Sequence, residues 1–163
     1  MDETEERPPL HAALAQIRPD KAAVEKNLAA VRRVIGECAG RHDLVVFPEA
    51  CLSGYFLEGG VAEAARTATQ VAEGLGSPPP EAPDVVLGFY ERWRRRLYNS
   101  VAWLTPSDEG WDVVHVHRKM FLPTYGIFDE ERFVETGRTL EAFDTRYGRV
   151  GLLVCEEMWH SLP

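Results

Sequence analysis

The sequence predicts an α/β fold built around a mixed β-sheet. In the first half, short apolar runs alternate with segments whose apolar residues recur every three or four positions, in the order strand–helix–strand–helix. In the second half, several strand-like runs follow one another with short turn-bearing segments between them. Apolar residues make up 45% of the chain and charged residues 27%, as in ordinary globular proteins.

The first three elements are a strand, a helix and a second strand. Residues 10–19 are predicted to form the first strand, after which Asp20 occupies the expected N-cap of the helix. Gly40 provides the stop of this helix. Residues 44–47 form a continuous apolar run, as expected of a strand covered on both faces. One face of the helix carries apolar residues at spacings of three and four, namely Val24, Leu28, Val31, Val34, Ile35 and Cys38.

A second helix is predicted at about 61–73, followed by a Gly- and Pro-rich loop over 74–84. Residues 140–154 are predicted to form a hairpin around Tyr147 and Gly148. Between the loop and this hairpin, three strands are predicted at 85–92, 97–104 and 111–118.

Composition excludes several classes of protein. A chain of 163 residues has the length of about one domain, and its net charge of −8 works against broad nucleic-acid binding. No apolar run approaches the roughly 20 residues of a transmembrane helix. Residues 1–9 are acidic and Pro-bearing, so we expect them to be disordered and not a signal peptide. Three widely spaced cysteines suit a reducing compartment, and we expect a cytoplasmic protein.

Three residues at predicted strand ends could perform chemistry. Cys155 follows the apolar run 149–154, Glu49 follows the strand 44–47 and Pro48, and Lys119 closes the strand 111–118. Each has a plain structural alternative: a small buried cysteine, a surface-turn glutamate and an exposed strand-end lysine. Together they would suit thiol attack on a carbon–nitrogen bond, with a carboxylate as base, a cation beside the oxyanion and a covalent thioester.

The residues around these three positions resemble the nitrilase, or carbon–nitrogen hydrolase, superfamily. Its three signature neighbourhoods occur here in the family order, as LVVFPEACLSGYF, HRKMFLPTYGIFDEERF and YGRVGLLVCEEMWH. The segment YNSVAWL is similar to the family strand between the first two. The resemblance covers about residue 10 to the end of the chain.

The resemblance implies a role for each matched residue. Glu49 is the general base, Lys119 stabilises the oxyanion, and Cys155 is the nucleophile. Glu130 matches a second active-site glutamate, and the backbone N–H of Glu156 belongs to the oxyanion site. From sequence adjacency alone, Tyr55 and Tyr125 are expected to line the substrate pocket.

The resemblance also implies a four-layer α-β-β-α sandwich, no metal or cofactor, and association of subunits through helix faces. The residues after Cys155 are closer to the pattern of glutaminase-type amidase domains than to that of nitrilases, so we expect a small amide as substrate. A typical member continues beyond this point. We therefore expect residues 10–163 to be the N-terminal portion of the domain, with the remainder of that domain as a partner.

Other readings of the sequence remain open. The chain could be an inactive fragment or an interaction protein that keeps the motif residues, or Cys155 could be a redox-sensing thiol. His115 and His117 have a spacing that two zinc ligands can use, but no third ligand accompanies them, which favours structural roles. The run of arginines at 92–96 is interpreted as a solvated hairpin end and not as a nucleic-acid site.

Overall fold

The structure is a computed structural model that describes residues 9–55 and 60–160. Its centre is a five-stranded sheet in the order β1-β2-β3-β4-β5. The strands β1, β2 and β3 are parallel, whereas β4 and β5 pair antiparallel with their neighbours, which confirms the mixed sheet. These strands are β1 Ala12–Leu14, β2 Leu44–Val46, β3 Asp84–Trp93, β4 Arg96–Ser107 and β5 Gly110–Arg118.

One face of the sheet is covered by helices α1 Val24–Cys38, α2 Val61–Ala64 and α3 Ala68–Gly74. The predicted apolar face of α1 packs into the main core beneath them. The prediction that Asp20 caps this helix is wrong, because the N-cap is Ala23 and makes no side-chain cap. The side chain of Asn27 instead bonds both the backbone N–H and the carbonyl of Asp20, which joins the connecting segment to the helix.

The single helix predicted at 61–73 is also wrong, since α2 and α3 are separated by a short extended stretch. Within that stretch the backbone of Arg66 bonds β3 on both sides, accepting from Arg92 N and donating to Tyr90 O. Thr67 then starts α3 with a capping box, in which its side chain and that of Gln70 each accept the other's backbone N–H. The pairing of Arg66 with β3 therefore divides the single helix that the spacing of apolar residues predicts.

The other face of the sheet carries a small antiparallel hairpin of β6 Phe143–Thr145 and β7 Gly148–Val150. The hairpin is where the sequence predicts it, although its strands are shorter than expected. Phe143 packs edge-on against Trp103 of β4, with ring centroids 5.8 Å apart, and Leu152 and Val154 extend this second core. The described residues thus form a helical layer, a five-stranded sheet and a two-stranded sheet on its opposite face.

Two predictions about the chain ends and the membrane stand apart from the core. Of the acidic segment 1–9, residues 1–8 lie outside the described residues. Within the described part of the chain, none of the helices has both the length and the apolar content needed to cross a bilayer.

The first strand is shorter than the predicted 10–19, because β1 pairs with β2 through only three residues.

Candidate active site

Four chain segments converge at the end of the sheet where β2 finishes. Glu49 lies just beyond β2, Lys119 follows β5 directly, and Cys155 begins a 3₁₀ helix, Cys155–Trp159. Asn99 lies within β4 and is paired with Lys119 through the bond from Lys119 N to Asn99 O, 2.8 Å long. The residues predicted from strand ends therefore meet at one edge, as the predicted topology requires.

The loop that carries Glu49 lies directly on β3. A Cβ at Gly88 would approach Pro48 O to 2.6 Å and Glu49 Cα to 2.8 Å, closer than real Cβ atoms come. Cys51 N donates to Gly88 O at 2.9 Å and holds the loop in this place. Gly88 is therefore the residue that lets the loop come close enough to bring Glu49 to the site.

Glu130 reaches the site through a closed excursion of the chain after β5. Glu135 N bonds Leu97 O at 2.7 Å and Gly137 N bonds Lys119 O at 2.8 Å, so both arms of the excursion end at the sheet. Within this excursion, a 3₁₀ helix, Glu130–Arg132, turns the Glu130 side chain inward, where it is 5% exposed.

The ammonium group of Lys119 joins the two carboxylates. Its Nζ lies 2.8 Å from Glu49 Oε1 and 2.9 Å from Glu130 Oε1, and the side chain is fully buried. Burial opposes the charged form of Lys119, but the two carboxylates outweigh it and raise the pKa of the lysine above its ordinary value. Burial raises the pKa of Glu130, against bonds from Tyr55 and Lys119. The site therefore holds a permanent cation between two carboxylates of unequal environment.

Asn99, which the sequence pattern does not predict as a site residue, completes this cluster. Its Nδ2 donates to Glu49 Oε1 at 2.6 Å and lies 3.3 Å from Glu130 Oε1, and the residue is fully buried. A buried amide in an otherwise apolar strand run needs hydrogen-bond partners, and that was the signal available in the sequence. Asn99 and Lys119 hold the same two carboxylate oxygens from two directions.

Tyr55, predicted to lie near the site from its closeness to Glu49 along the chain, also contacts the cluster. Its hydroxyl donates to Glu130 Oε1, and its carbonyl accepts from Tyr90 at 2.8 Å. Burial and this bond raise the pKa of the Tyr55 hydroxyl. The tyrosine therefore stays protonated and acts as a donor to Glu130.

Cys155 presents an exposed thiol beside these groups, in contrast to the buried Cys38 and Cys51. Its backbone has a left-handed φ of 48°, an uncommon conformation for a residue other than glycine. Partial burial raises the pKa of the Cys155 thiol, and the neighbouring Glu49 carboxylate, which also bonds the thiol, raises it further. The charge of Lys119 lowers this pKa. The thiol of Cys155 thus lies beside the Glu49 carboxylate, and its raised pKa favours the protonated form.

Tyr125 and Glu156, which the sequence predicts to line the substrate pocket, contact each other through their side chains. The Tyr125 hydroxyl donates to Glu156 Oε2 at 2.9 Å, and more than half of Tyr125 is exposed. His160 Nε2 lies 3.3 Å from the other oxygen of Glu156. The backbone N–H of Glu156 bonds the Cys155 sulfur and lowers its pKa. The backbone of Glu156 therefore faces Cys155, whereas its side chain faces Tyr125 and His160.

A further acidic residue, Glu157, was not identified from the sequence as part of the site. Its buried carboxylate accepts from Val154 N at 2.6 Å and from Met120 N at 2.7 Å. His117 Nε2 lies 2.8 Å from the same group. These bonds oppose burial and lower the pKa of Glu157 below its ordinary value. The carboxylate consequently joins the segment before Cys155 to the segment after Lys119.

The two histidines proposed as possible zinc ligands have other neighbours. His117 faces Glu157, and His115 stacks on Phe143 with ring centroids 4.4 Å apart. Within the ranges 9–55 and 60–160, no three His, Cys, Asp or Glu side chains are arranged to hold a metal ion.

Residues 11–162 match the family described as Carbon-nitrogen hydrolase, a range that contains every residue of the cluster. The chain belongs to the carbon–nitrogen hydrolase family. This confirms the resemblance that the three motifs predicted, and it places the observed mixed α/β fold among those of the nitrilase superfamily.

Individual members of the family are similar over most of this chain. A glutamine-dependent NAD(+) synthetase of Thermotoga maritima is 30% identical over 164 residues, which cover 94% of this chain and 26% of the synthetase. An (R)-stereoselective amidase of a Pseudomonas species is 34% identical over 135 residues, covering 81% and 46% of the two chains. The solved glutamine-dependent NAD+ synthetase of Acinetobacter baumannii matches with a TM-score of 0.77 and 25% identity, over 92% of this chain and 28% of the synthetase.

The chain spans about a quarter of the length of these synthetases and less than half of the amidase. The family membership supports a carbon–nitrogen hydrolase type of enzyme.

Proposed function

We propose that this chain hydrolyses the carbon–nitrogen bond of a small amide through a covalent thioester on Cys155. The observation that carries the proposal is the cluster in which a buried lysine joins Glu49 and Glu130 beside an exposed thiol. The similarity to an amidase and to glutamine-dependent synthetases supports an amide as the substrate.

In the first half of the reaction, Glu49 takes the thiol proton while the sulfur attacks the amide carbon. Lys119 Nζ and the Glu156 N–H then stabilise the oxyanion of the tetrahedral intermediate. Glu49 returns the proton to the leaving nitrogen, the carbon–nitrogen bond breaks, and ammonia leaves a thioester behind. The raised pKa of Cys155 suits this order, because the thiol keeps its proton until a substrate is present.

In the second half, Glu49 takes a proton from water as the water attacks the thioester. The carbon–sulfur bond breaks, and the thiol recovers the proton as the carboxylic acid leaves. Glu130, Tyr55 and Asn99 hold Glu49 and Lys119 in position throughout. We propose that Tyr125 and Glu156 line the mouth through which the amide enters, because they lie at the exposed side of Cys155.

The test is release of ammonia from glutamine and from simple aliphatic amides, measured with purified chain. Cys155→Ala is expected to abolish turnover, whereas Cys38→Ala, which alters a buried thiol elsewhere in the core, is expected to retain it. Equal turnover by wild type and Cys155→Ala would refute the mechanism.

The alternative, a chain that keeps these residues without activity, makes a different prediction for the thiol. A catalytic Cys155 is expected to react with iodoacetamide faster in the folded protein than in the same chain unfolded in urea, because Glu49 accepts the thiol proton as the sulfur attacks, which offsets the raised pKa of the thiol. Cys38 and Cys51 are buried and should react only after unfolding. A folded-state rate for Cys155 no greater than the unfolded one would favour the inactive alternative.

A further inference from the structure

Glu157 is a buried carboxylate that the proposed reaction does not use. It is 2% exposed, and three donors surround it: Val154 N at 2.6 Å, Met120 N at 2.7 Å and His117 Nε2 at 2.8 Å. The two backbone donors bond different oxygens, Val154 to Oε2 and Met120 to Oε1. Taking a carboxylate out of water needs such compensation, so its position is strongly determined.

Those two backbone donors flank the two residues that must meet. Val154 comes directly before Cys155, and Met120 comes directly after Lys119. From this geometry we propose that Glu157 is a positioning residue, whose carboxylate holds the nucleophile segment and the lysine segment at the separation that the reaction requires. The inference rests on the proposed function, because it assigns Glu157 a task in that same reaction.

The conformation of Cys155 is a second reason for this assignment. Its left-handed φ of 48° is unfavourable for a residue with a side chain and persists only where neighbouring bonds impose it. Glu157 supplies two such bonds across the cysteine. Its side chain accepts from Val154 N, and its backbone N donates to Val154 O at 3.1 Å. The four residues 154–157 are closed into a ring that keeps the thiol facing Glu49.

His117 fixes the third side of the carboxylate. It lies in β5 two residues before Lys119, is 2% exposed, and reaches both oxygens of Glu157, at 2.8 and 3.1 Å. Its other nitrogen, Nδ1, is buried and has no partner among the described residues. His117 consequently orients the Glu157 carboxylate from β5.

The sharpest perturbation is Glu157→Gln, which keeps the shape and removes one acceptor oxygen. The amide NH₂ would then face a backbone N–H, so one of the two segments must lose its bond. We expect the folded-state rate of Cys155 alkylation by iodoacetamide to fall about 10²-fold, the usual loss when reacting groups are misplaced by about 1 Å. In amide turnover we expect kcat to fall by a similar factor and KM to change little.

Two comparisons separate positioning from general destabilisation. Asp84→Asn alters an equally buried carboxylate at the opposite end of the same sheet, where it bonds Trp103 and Arg146. This variant should lose stability and keep the wild-type rate of alkylation. In addition, Glu157→Gln should lower the rate of Cys155 alkylation only slightly further in a Lys119→Met background, because the ammonium group that Glu157 positions is then absent.

Three results would overturn the proposal: an unchanged alkylation rate in Glu157→Gln, an equal loss in Asp84→Asn, or full additivity with Lys119→Met. If Glu157→Gln does not fold, Glu157→Asp takes its place, since a carboxylate one methylene shorter reaches only one of the two backbone donors. A wild-type rate of Cys155 alkylation in Glu157→Asp would equally refute the proposal. A wild-type Cys155 that reacts no faster when folded would instead refute the proposed function, and Asp84→Asn would still report stability.

Discussion

Removing the cation from the cluster is expected to make stability depend on pH in a specific way. Lys119→Met replaces a fully buried ammonium group by an apolar chain of similar length and leaves Glu49 and Glu130 on either side of it. Breaking a buried ion pair from one side costs about 3–5 kcal/mol, because the remaining charge is no longer compensated. We expect this loss at pH 8.

The sign of the pH effect follows from the pKa of Glu130. Burial already raises that pKa above its ordinary value of 4.5 in the wild type, and loss of Lys119 raises it further. A carboxyl whose pKa is raised on folding takes up a proton as pH falls, and the folded state then gains relative to the unfolded chain. Between the pKa of Glu130 in the variant and its lower pKa in the wild type, the penalty therefore shrinks by about 1.4 kcal/mol per pH unit.

The assay is urea unfolding followed by tryptophan fluorescence at pH 5, 6, 7 and 8, for wild type and Lys119→Met. A matched control is Lys26→Met, which breaks an exposed pair with Asp20 and should change stability by less than about 1 kcal/mol at every pH. The reasoning is refuted if the penalty of Lys119→Met is the same at pH 5 and pH 8.

Three further predictions concern neighbouring parts of the fold. Arg94→Asn with Arg95→Gly should raise the melting temperature, because both arginines occupy left-handed positions of a tight β3–β4 turn at about 1–2 kcal/mol each, and an unchanged value would contradict this strain. Gly88→Ala should lower stability by about 1–3 kcal/mol and displace Glu49, because the added Cβ would meet the loop that carries this residue. Gly36→Ala, whose added Cβ meets nothing within 4 Å, should stabilise α1 by about 1 kcal/mol, and urea unfolding compares the two variants. Asn99→Leu should lower amide turnover with little change in KM, and turnover equal to wild type would show that its amide is dispensable.

The residues at strand ends were accessible from the sequence because their positions follow from local pattern. Glu49, Lys119 and Cys155 each come after an apolar run, and the carboxyl ends of strands in an α/β sheet collect at one edge. The motif resemblance then assigned a chemical role to each one. Neither step required knowledge of which distant residues touch.

Asn99 and Glu157 were missed because their roles depend on such distant contacts. Asn99 meets carboxylates 50 and 31 residues away, and Glu157 accepts from the backbone of Met120, 37 residues away. The break between α2 and α3 does have a local signal, since Thr67 and Gln70 have the spacing of a capping box. The first helix ends at Cys38, two residues before the predicted stop at Gly40, whereas it starts later than predicted because Ala22 adopts a left-handed φ of 56°.

The cluster also allows a test of whether the fold or the chemistry requires its charges. A variant with Lys119→Met, Glu49→Gln and Glu130→Gln removes all three charges together and keeps amide oxygens that can still accept from Tyr55 and Asn99. Replacing a whole buried ionic group by neutral groups of similar volume is often neutral, or stabilising by about 1–4 kcal/mol, because no charge is then left uncompensated. We therefore expect the triple variant to equal or exceed the wild type in urea stability at pH 8, where Lys119→Met alone is destabilised, and to release no ammonia from any amide that the wild type hydrolyses. A triple variant as unstable as Lys119→Met would mean that the fold depends on these charges. A stable and inactive one would mean that the chain carries them at the expense of stability for the sake of the reaction at Cys155.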